Sequence, residues 1–316
     1  MKNDLIIKEL ESIFGKDRIK VDQNLSFYLT LRTQTKAQYY LEAESREDWV
    51  KVGQIKASKK IPIFIMGGGS NLAIITDYIN GLVVRNLYQK KEVIAETEDY
   101  VDLLVSSGYV VARLVIETIK EGWGGLEYHQ GLPGTVGGAI FMNSKWAKHH
   151  SYFGDQLLYA YLLETNGEIK KVDHDYFKFR YDHSVLQETG EILIEAVFRL
   201  KKEMPQVLQK KAQEALNYRS ETQPKGIATS GCFFKNISED IKLRLKLPTT
   251  SAGYLIEHAG LKNLRVGDFV VSSMHANFII NEGSGKAEDL IKLLKLIKDK
   301  VKEKFGIDLE EEVVVI

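Results

Sequence analysis

The chain has 316 residues, 44% hydrophobic and 27% charged, with 43 basic residues balanced by 43 acidic ones. That length exceeds most single cores, so two or three packed domains are expected, and the even charge balance speaks against a polyanion such as nucleic acid as partner. Cys232 is the single cysteine, which leaves no internal disulfide and one thiol to be explained by packing or by chemistry.

The opening residues Met1-Lys2-Asn3-Asp4 lead into alternating apolar and charged positions rather than the apolar core of a secretory leader. No apolar run approaches the roughly 20 residues that span a bilayer, the best being the six from Ile61 to Met66. A cytoplasmic protein is the expectation. From Asp4 to Phe14, residues Leu5, Ile6, Leu10, Ile13 and Phe14 share one helical face, and Gly15 follows where a helix would end. Tyr39 to Ala43 is extended in character, and Ser45 with Asp48 three residues later predicts a capping box for a helix running to about Lys59. Ile61 to Met66 predicts a buried strand that runs into Gly67-Gly68-Gly69-Ser70-Asn71, so these glycines stand at the end of a strand where ligands commonly approach a sheet. A strand from Tyr100 to Ser106 and a helix carrying Val110, Val111, Leu114, Val115, Thr118 and Ile119 lead to a second glycine cluster between Gly122 and Gly138.

A strand over Glu191 to Leu200 and a polar helix from Pro205 to about Arg219 place a domain boundary near residue 200. Beyond it come a helix from Ser251 to His258, closed by Gly260, and a longer one with Leu290, Leu294, Ile297, Val301 and Phe305 on one face, stopped by Gly306. Strands and helices alternate without a regular period, which favours an α+β fold over a barrel of repeated units.

Three glycines followed by Ser70 and Asn71 let the backbone bring several N–H groups to one anion, with side-chain donors beside them. A pyrophosphate suits that chemistry, although the spacing is neither the dinucleotide fingerprint nor a Walker A loop. The run Gly131-Leu132-Pro133-Gly134-Thr135-Val136-Gly137-Gly138-Ala139 is denser in glycine than a surface turn requires, and lets a planar ring and its phosphates lie against backbone.

Together, Ile65 through Leu72 and Gly125-Leu126-Glu127-Tyr128 through Asn143 resemble the UDP-N-acetylenolpyruvoylglucosamine reductases (the MurB family) of peptidoglycan synthesis. The resemblance continues through Arg219 to Pro224, Ser230-Gly231-Cys232-Phe233-Phe234-Lys235-Asn236, Ala252 to Glu257, His275-Ala276-Asn277-Phe278 and Leu309 to Val313, covering nearly the whole chain. It implies an FAD-binding region of the vanillyl-alcohol-oxidase (PCMH) type over residues 1–200, made of two α+β subdomains split near residue 60, and a smaller α+β substrate-binding domain over 201–316. The short stretch between Ser184 and Arg219 is similar to the shorter subtype, which lacks a Tyr-containing loop. FAD would lie on Gly67, Gly68, Gly69, Ser70, Asn71, Gly131, Pro133, Gly134, Thr135, Gly137 and Gly138.

The implied reaction uses NADPH to reduce the flavin, which passes hydride to the enolpyruvyl group of UDP-N-acetylglucosamine enolpyruvate and gives UDP-N-acetylmuramate; a protein group protonates the resulting aci-carboxylate carbon. The family's proton donor is a serine in a Gly-Ser-Phe-Phe-Lys-Asn segment, and this chain has Cys232 there. A thiol with pKa near ~8.5 is a far stronger acid than an alcohol, so Cys232 is expected to be the donor. Glu312 falls at the family's C-terminal glutamate and would assist protonation or stabilise charge; Glu310, Glu311 and Glu312 could instead be a solvated acidic end, but the strand expected over Val313 to Ile316 favours a defined position for the last of them.

An arginine of a Tyr-Arg-x-Ser segment should offset the growing carboxylate charge. Aligning on Ser184 puts Asp182 at that place, with Arg180 two residues earlier and on the same face if the segment is extended. The alternative is that Arg180 is a surface residue and Arg219 supplies the charge. Lys235 and Asn236, with Arg219, would contact the nucleotide sugar, whereas His275 and Asn277 read equally as functional groups and as satisfied core groups. Ser144-Lys145-Trp146-Ala147 departs from the small residues usual after Asn143. The adjacent His149 and His150 lack metal-ligand spacing, so no metal is implied. The partners expected are the UDP-sugar and NADPH, with no nucleic acid, membrane or obligatory protein partner. Two rivals remain: another PCMH-type FAD oxidoreductase, or a flavin-binding relative without this activity.

Overall fold

The computed structural model describes residues 2–149 and 151–316, and the chain packs as two compact units. The first comprises Ala37–Gly68, Asn80–Arg219 and the stretch before Asn24; the second comprises Asn24–Lys36, Gly69–Ile79 and Ser220–Ile316.

The first unit opens on a helix over Lys2–Phe14, whose Leu10 and Phe14 are buried with Ile6 and Ile13 packed beside them. Leu5, expected on that face, is 70% exposed; it sits at the rim of the apolar stripe, where one residue of helical rotation carries it to solvent. The helix Arg46–Ser58 starts as predicted, with the Ser45 hydroxyl accepting the Asp48 N–H at 3.1 Å. Only half of the capping box forms, because the Asp48 carboxylate accepts the Glu44 N–H at 2.9 Å and pairs with Arg18 at 2.7 Å. Four strands form a small sheet in the order Lys20–Asn24, Lys36–Ala43, Tyr78–Asn86 and Ile63–Met66. The last two pair in parallel, so the first glycine loop leaves the C-terminal end of Ile63–Met66.

A larger sheet runs in the order Ile169–Asp173, Leu157–Leu163, Ile192–Lys202, Tyr100–Ser106 and Lys91–Glu96. Its core takes Leu103 and Val105 from the sheet, Leu114 and Val115 from the helix Val111–Lys120, and Val136 and Ile140 from the helix Val136–Met142. Leu208 and Ala212 of the helix Pro205–Thr222 are also fully buried in it. That helix therefore compacts with the first unit as far as Arg219, not with the residues after 200. Its apolar stripe at Leu208, Ala212 and Ala215 is narrow, which makes the helix look polar in sequence while still supplying one face to the core.

In the second unit, Arg265–Val266, Phe269–Val271 and Ile279–Asn281 form an antiparallel sheet. The helix Ala252–His258 is capped by the Ser251 hydroxyl, and Ala287–Phe305 ends on Gly306 in the left-handed region with φ 68°. The longer helix buries Leu290, Leu294, Ile297 and Val301, as the periodicity predicts. At the C-terminal end, Val314–Val315 pairs in parallel with Leu72–Ala73. Asn281 donates its amide to the Leu31 carbonyl at 2.9 Å, which ties Asn24–Lys36 into this unit. Among the described residues no helix is long and apolar enough to cross a membrane.

Candidate active site

The glycines of the two loops are explained first by packing. A Cβ on Gly68 would stand 2.8 Å from the Gly134 Cα, and one on Gly67 2.5 Å from the Thr135 hydroxyl. Backbone therefore lies directly on backbone where the loops meet. The donors at the start of the helix Val136–Met142 are also engaged: Val136 N–H donates to the Tyr109 carbonyl at 2.9 Å, Gly137 N–H to the Ser107 carbonyl at 2.7 Å, and Gly138 N–H to the Thr135 hydroxyl at 3.4 Å. Gly138 differs from the rest. It is exposed, and a Cβ there would find only the Thr135 hydroxyl, at an ordinary 3.8 Å. Helices generally prefer alanine to glycine by up to roughly 1 kcal/mol, so packing within the protein does not account for this glycine, and its flat face would accept a planar group.

The rest of the first loop, Gly69–Asn71, compacts with the second unit. Thr30 donates both its N–H and its hydroxyl to the Gly69 carbonyl, each at 3.1 Å. Asn71, expected to face the cofactor, directs its side-chain Nδ2 to the Glu312 carbonyl at 3.3 Å, and its own carbonyl accepts the Val314 N–H at 2.9 Å. Ser230 donates its hydroxyl to the Leu72 carbonyl at 2.7 Å. The exit of the glycine loop is thus fastened to the two segments that carry Glu312 and Cys232.

Those segments are themselves paired. Lys235 N–H donates to the Glu310 carbonyl and Glu312 N–H to the Phe233 carbonyl, both at 2.8 Å, which makes Phe234 and Glu311 an antiparallel bridge. On the opposite edge Cys232 bridges Phe278, and Phe233 N–H donates to the Asn277 carbonyl at 2.9 Å. Cys232 is half-buried and bridges Phe278, and Glu312 stands on the neighbouring segment opposite Phe233, the residue that follows Cys232. Of the three C-terminal glutamates, Glu310 is exposed and Glu311 is held by Lys298 at 2.5 Å. Glu312 is the one whose main chain is bonded to Phe233.

The arginine expectation changes. Arg180 and His183 exchange main-chain hydrogen bonds at 3.1 and 3.3 Å, with Asp182 between them at φ 49°, so the segment is a tight two-residue turn rather than an extended strand. The same-face argument for Arg180 fails, and its side chain is 67% exposed and paired with Glu188 at 3.3 Å. Asp in the left-handed region is a turn signal readable from sequence. Arg219 is half-buried and lies over the Trp146 ring at 5.4 Å; a Cβ on Gly131 of the second loop would be 3.4 Å from its Cδ. Trp146, in the stretch that departs from the usual small residues, is the platform for this guanidinium.

Lys235 is half-buried and forms no ion pair among the described residues, as suits a cation that meets a phosphate. Asn236 instead accepts the Ala252 N–H at 3.0 Å and helps to start the helix Ala252–His258. His129 is fully buried under the second loop beside Phe153; burial, aided by the positive charge of Arg219, pushes its pKa down to about 3. His150 lies outside the described residues, and among those described no group of His, Cys, Asp or Glu is arranged to hold a metal ion. The stretch from Ser184 to Arg219 is taken up by Leu186–Thr189, Ile192–Lys202 and Pro205–Thr222.

Comparison with known proteins settles the family. Residues 223–316 match the family described as UDP-N-acetylenolpyruvoylglucosamine reductase, C-terminal domain, and residues 37–173 match an FAD binding domain. The UDP-N-acetylenolpyruvoylglucosamine reductase of Chlamydia felis is 34% identical over 292 residues, 92% of this chain and 92% of that protein. The chain belongs to the UDP-N-acetylenolpyruvoylglucosamine reductase family. The enzyme of the same name from Protochlamydia amoebophila is 34% identical over 277 residues, 88% of this chain and 87% of the relative. Among solved structures, UDP-N-acetylenolpyruvylglucosamine reductase (MurB) from Thermus caldophilus superposes with a TM-score of 0.75 at 29% identity, covering 94% of this chain and 97% of that one. The fold is accordingly that of the reductase family: an FAD binding domain followed by a second α+β domain.

Proposed function

We propose that Cys232 delivers the proton, with Glu312 assisting it, in the reduction of the enolpyruvyl group of UDP-N-acetylglucosamine enolpyruvate to the lactyl ether of UDP-N-acetylmuramate. Family membership makes the chain an oxidoreductase of peptidoglycan synthesis that uses FAD and NADPH. When bound, the flavin supplies the hydride chemistry, which no side chain can. One carbon of the double bond receives that hydride, and the other needs a proton. The thiol of Cys232 gives it and is left as thiolate, which regains a proton from water with Glu312 assisting that transfer. The observation that supports this reading is the bond from Glu312 N–H to the Phe233 carbonyl at 2.8 Å, which sets Glu312 opposite the residue that follows Cys232.

Arg219, rather than Arg180, is the arginine in this reading, supported by its half-buried place against the second glycine loop. A guanidinium held on an aromatic face keeps its charge and direction where a solvated one does not. Lys235 is assigned to a phosphate of the nucleotide sugar. FAD is assigned to the two glycine loops and the nucleotide sugar to the C-terminal part of the chain, in line with the matches at 37–173 and 223–316. A cytoplasmic location belongs to the same proposal, since a reaction that needs a free thiol suits a reducing compartment.

The experiment is an anaerobic cycle on purified protein followed by absorbance. NADPH should bleach the flavin band and the enolpyruvyl nucleotide sugar should restore it, with a matching loss of NADPH. Bleaching that the substrate never reverses would leave a flavin-binding relative, and turnover with oxygen and an alcohol would point to another oxidoreductase of this fold.

A further inference from the structure

Asn277 is fully buried, with 3% of its surface exposed, and its side chain does what a strand's main chain ordinarily does. Phe234 pairs with Glu311 as a non-hydrogen-bonded residue, so its own N–H and carbonyl turn to the opposite edge. There the neighbouring chain is only a short stretch around Phe278, and the gap is filled by the Asn277 amide. Oδ1 accepts the Phe234 N–H at 3.0 Å and Nδ2 donates to the Phe234 carbonyl at 2.8 Å. The Asn277 carbonyl accepts the Phe233 N–H at 2.9 Å as well. One residue therefore holds three main-chain groups of the two residues that follow Cys232, and the bond from Glu312 to the Phe233 carbonyl closes the other edge.

We propose that Asn277 is a positioning residue for proton delivery: its carboxamide acts as a surrogate peptide that fixes the register of Gly231–Lys235, and with it the direction of the Cys232 thiol relative to Glu312. This rests on the reading of Cys232 as proton donor. The requirement is for one donor and one acceptor at peptide spacing, which asparagine meets at this reach; aspartate keeps the acceptor but sets a carboxylate oxygen against the Phe234 carbonyl, and alanine leaves both groups without a partner.

Because Cys232 is the only cysteine, alkylation by iodoacetamide reports on this thiol without any turnover. In Asn277→Asp and Asn277→Ala the alkylation rate of the native protein should change several-fold and its pH profile should shift, measured well below each variant's melting temperature. Flavin content and reduction by NADPH should stay near those of the parent, while reoxidation by the enolpyruvyl nucleotide sugar should slow by ~10-fold or more, the scale of a displacement under an ångström. Adding either substitution to Cys232→Ala should then cause no further slowing, because the two act as one unit. Unchanged alkylation, or an equal further slowing in the Cys232→Ala background, would overturn the proposal. Normal reoxidation in Cys232→Ala alone would instead remove the reading it rests on. If the alanine variant does not fold, the aspartate variant, which retains one of the two bonds, carries the test.

Discussion

The main-chain N–H of Glu312 donates to the carbonyl of Phe233 over 2.8 Å, so the fifth residue from the C-terminal end is held opposite the residue that follows Cys232. The bond uses main-chain atoms only, so Glu312→Gln leaves it in place. Glu312→Gln should therefore change stability by no more than ~0.5 kcal/mol, the usual range away from packing. Reoxidation of the reduced flavin by substrate should slow by ~10²-fold. Chemical denaturation and stopped-flow absorbance on one preparation check both; a variant that is much less stable yet reoxidises normally would make Glu312 structural.

The two arginines separate by environment. Arg180→Ala removes an exposed pair with Glu188, worth little in water, and kcat should stay within ~2-fold. Arg219→Ala removes a charge held on Trp146 and should lower the rate of reoxidation by ~10²-fold, as expected for a group that meets charge developing in the transition state. Steady-state kinetics of both variants decide between them, and the reverse ranking would restore Arg180.

Gly138→Ala tests the cofactor surface with two effects of opposite sign. In the flavin-free protein it should raise stability by ~0.5–1 kcal/mol, since alanine suits a helix better and meets nothing closer than 3.8 Å. FAD affinity should fall by ~10-fold or more as the new methyl enters the space the ring system needs. Denaturation of apoprotein and flavin titration read the two quantities; unchanged affinity would show that this glycine does not face FAD.

His129 gives a stability signature in acid. Its folded pKa of about 3 lies below the ~6.5 of an unfolded chain, so between those values the unfolded state binds a proton that the folded state refuses. Stability then rises with pH through this window and is lost as pH falls from about 6.5 toward 3. Near pH 5 the slope attributable to His129 is about 1.4 kcal/mol per pH unit. His129→Leu should flatten the curve of unfolding free energy against pH by that amount, and parallel curves for the two proteins would contradict it.

Much of this was legible in the sequence where the signal is local. The helix Ala287–Phe305 announces itself by its apolar period and by Gly306, and Ser45 and Ser251 mark their helix starts by capping. Cys232 and the C-terminal glutamate each sit inside a contiguous motif, which is why the sequence offers them as candidates. Contacts between distant segments leave no such trace. The placement of Asn24–Lys36 and Gly69–Ile79 with the C-terminal unit depends on pairings such as Asn281 with Leu31 and Val314 with Leu72. The role of Asn277 depends on a side chain meeting main-chain atoms 43 residues away, and neither periodicity nor composition carries that. The same-face placement of Arg180 fails for a different reason: the two-residue periodicity of a strand does not apply to the turn that Asp182 makes.

The central claim is that the thiol of Cys232 delivers the proton, and the two half-reactions of Cys232→Ala test it most directly. Flavin reduction by NADPH should proceed as in the parent protein, because no proton from this residue is needed there. Reoxidation by the enolpyruvyl nucleotide sugar should slow by ~10²-fold or more, the lower range for a lost general acid. Reoxidation at the parent rate would contradict the account and return Cys232 to the role of a small side chain packed between two strands.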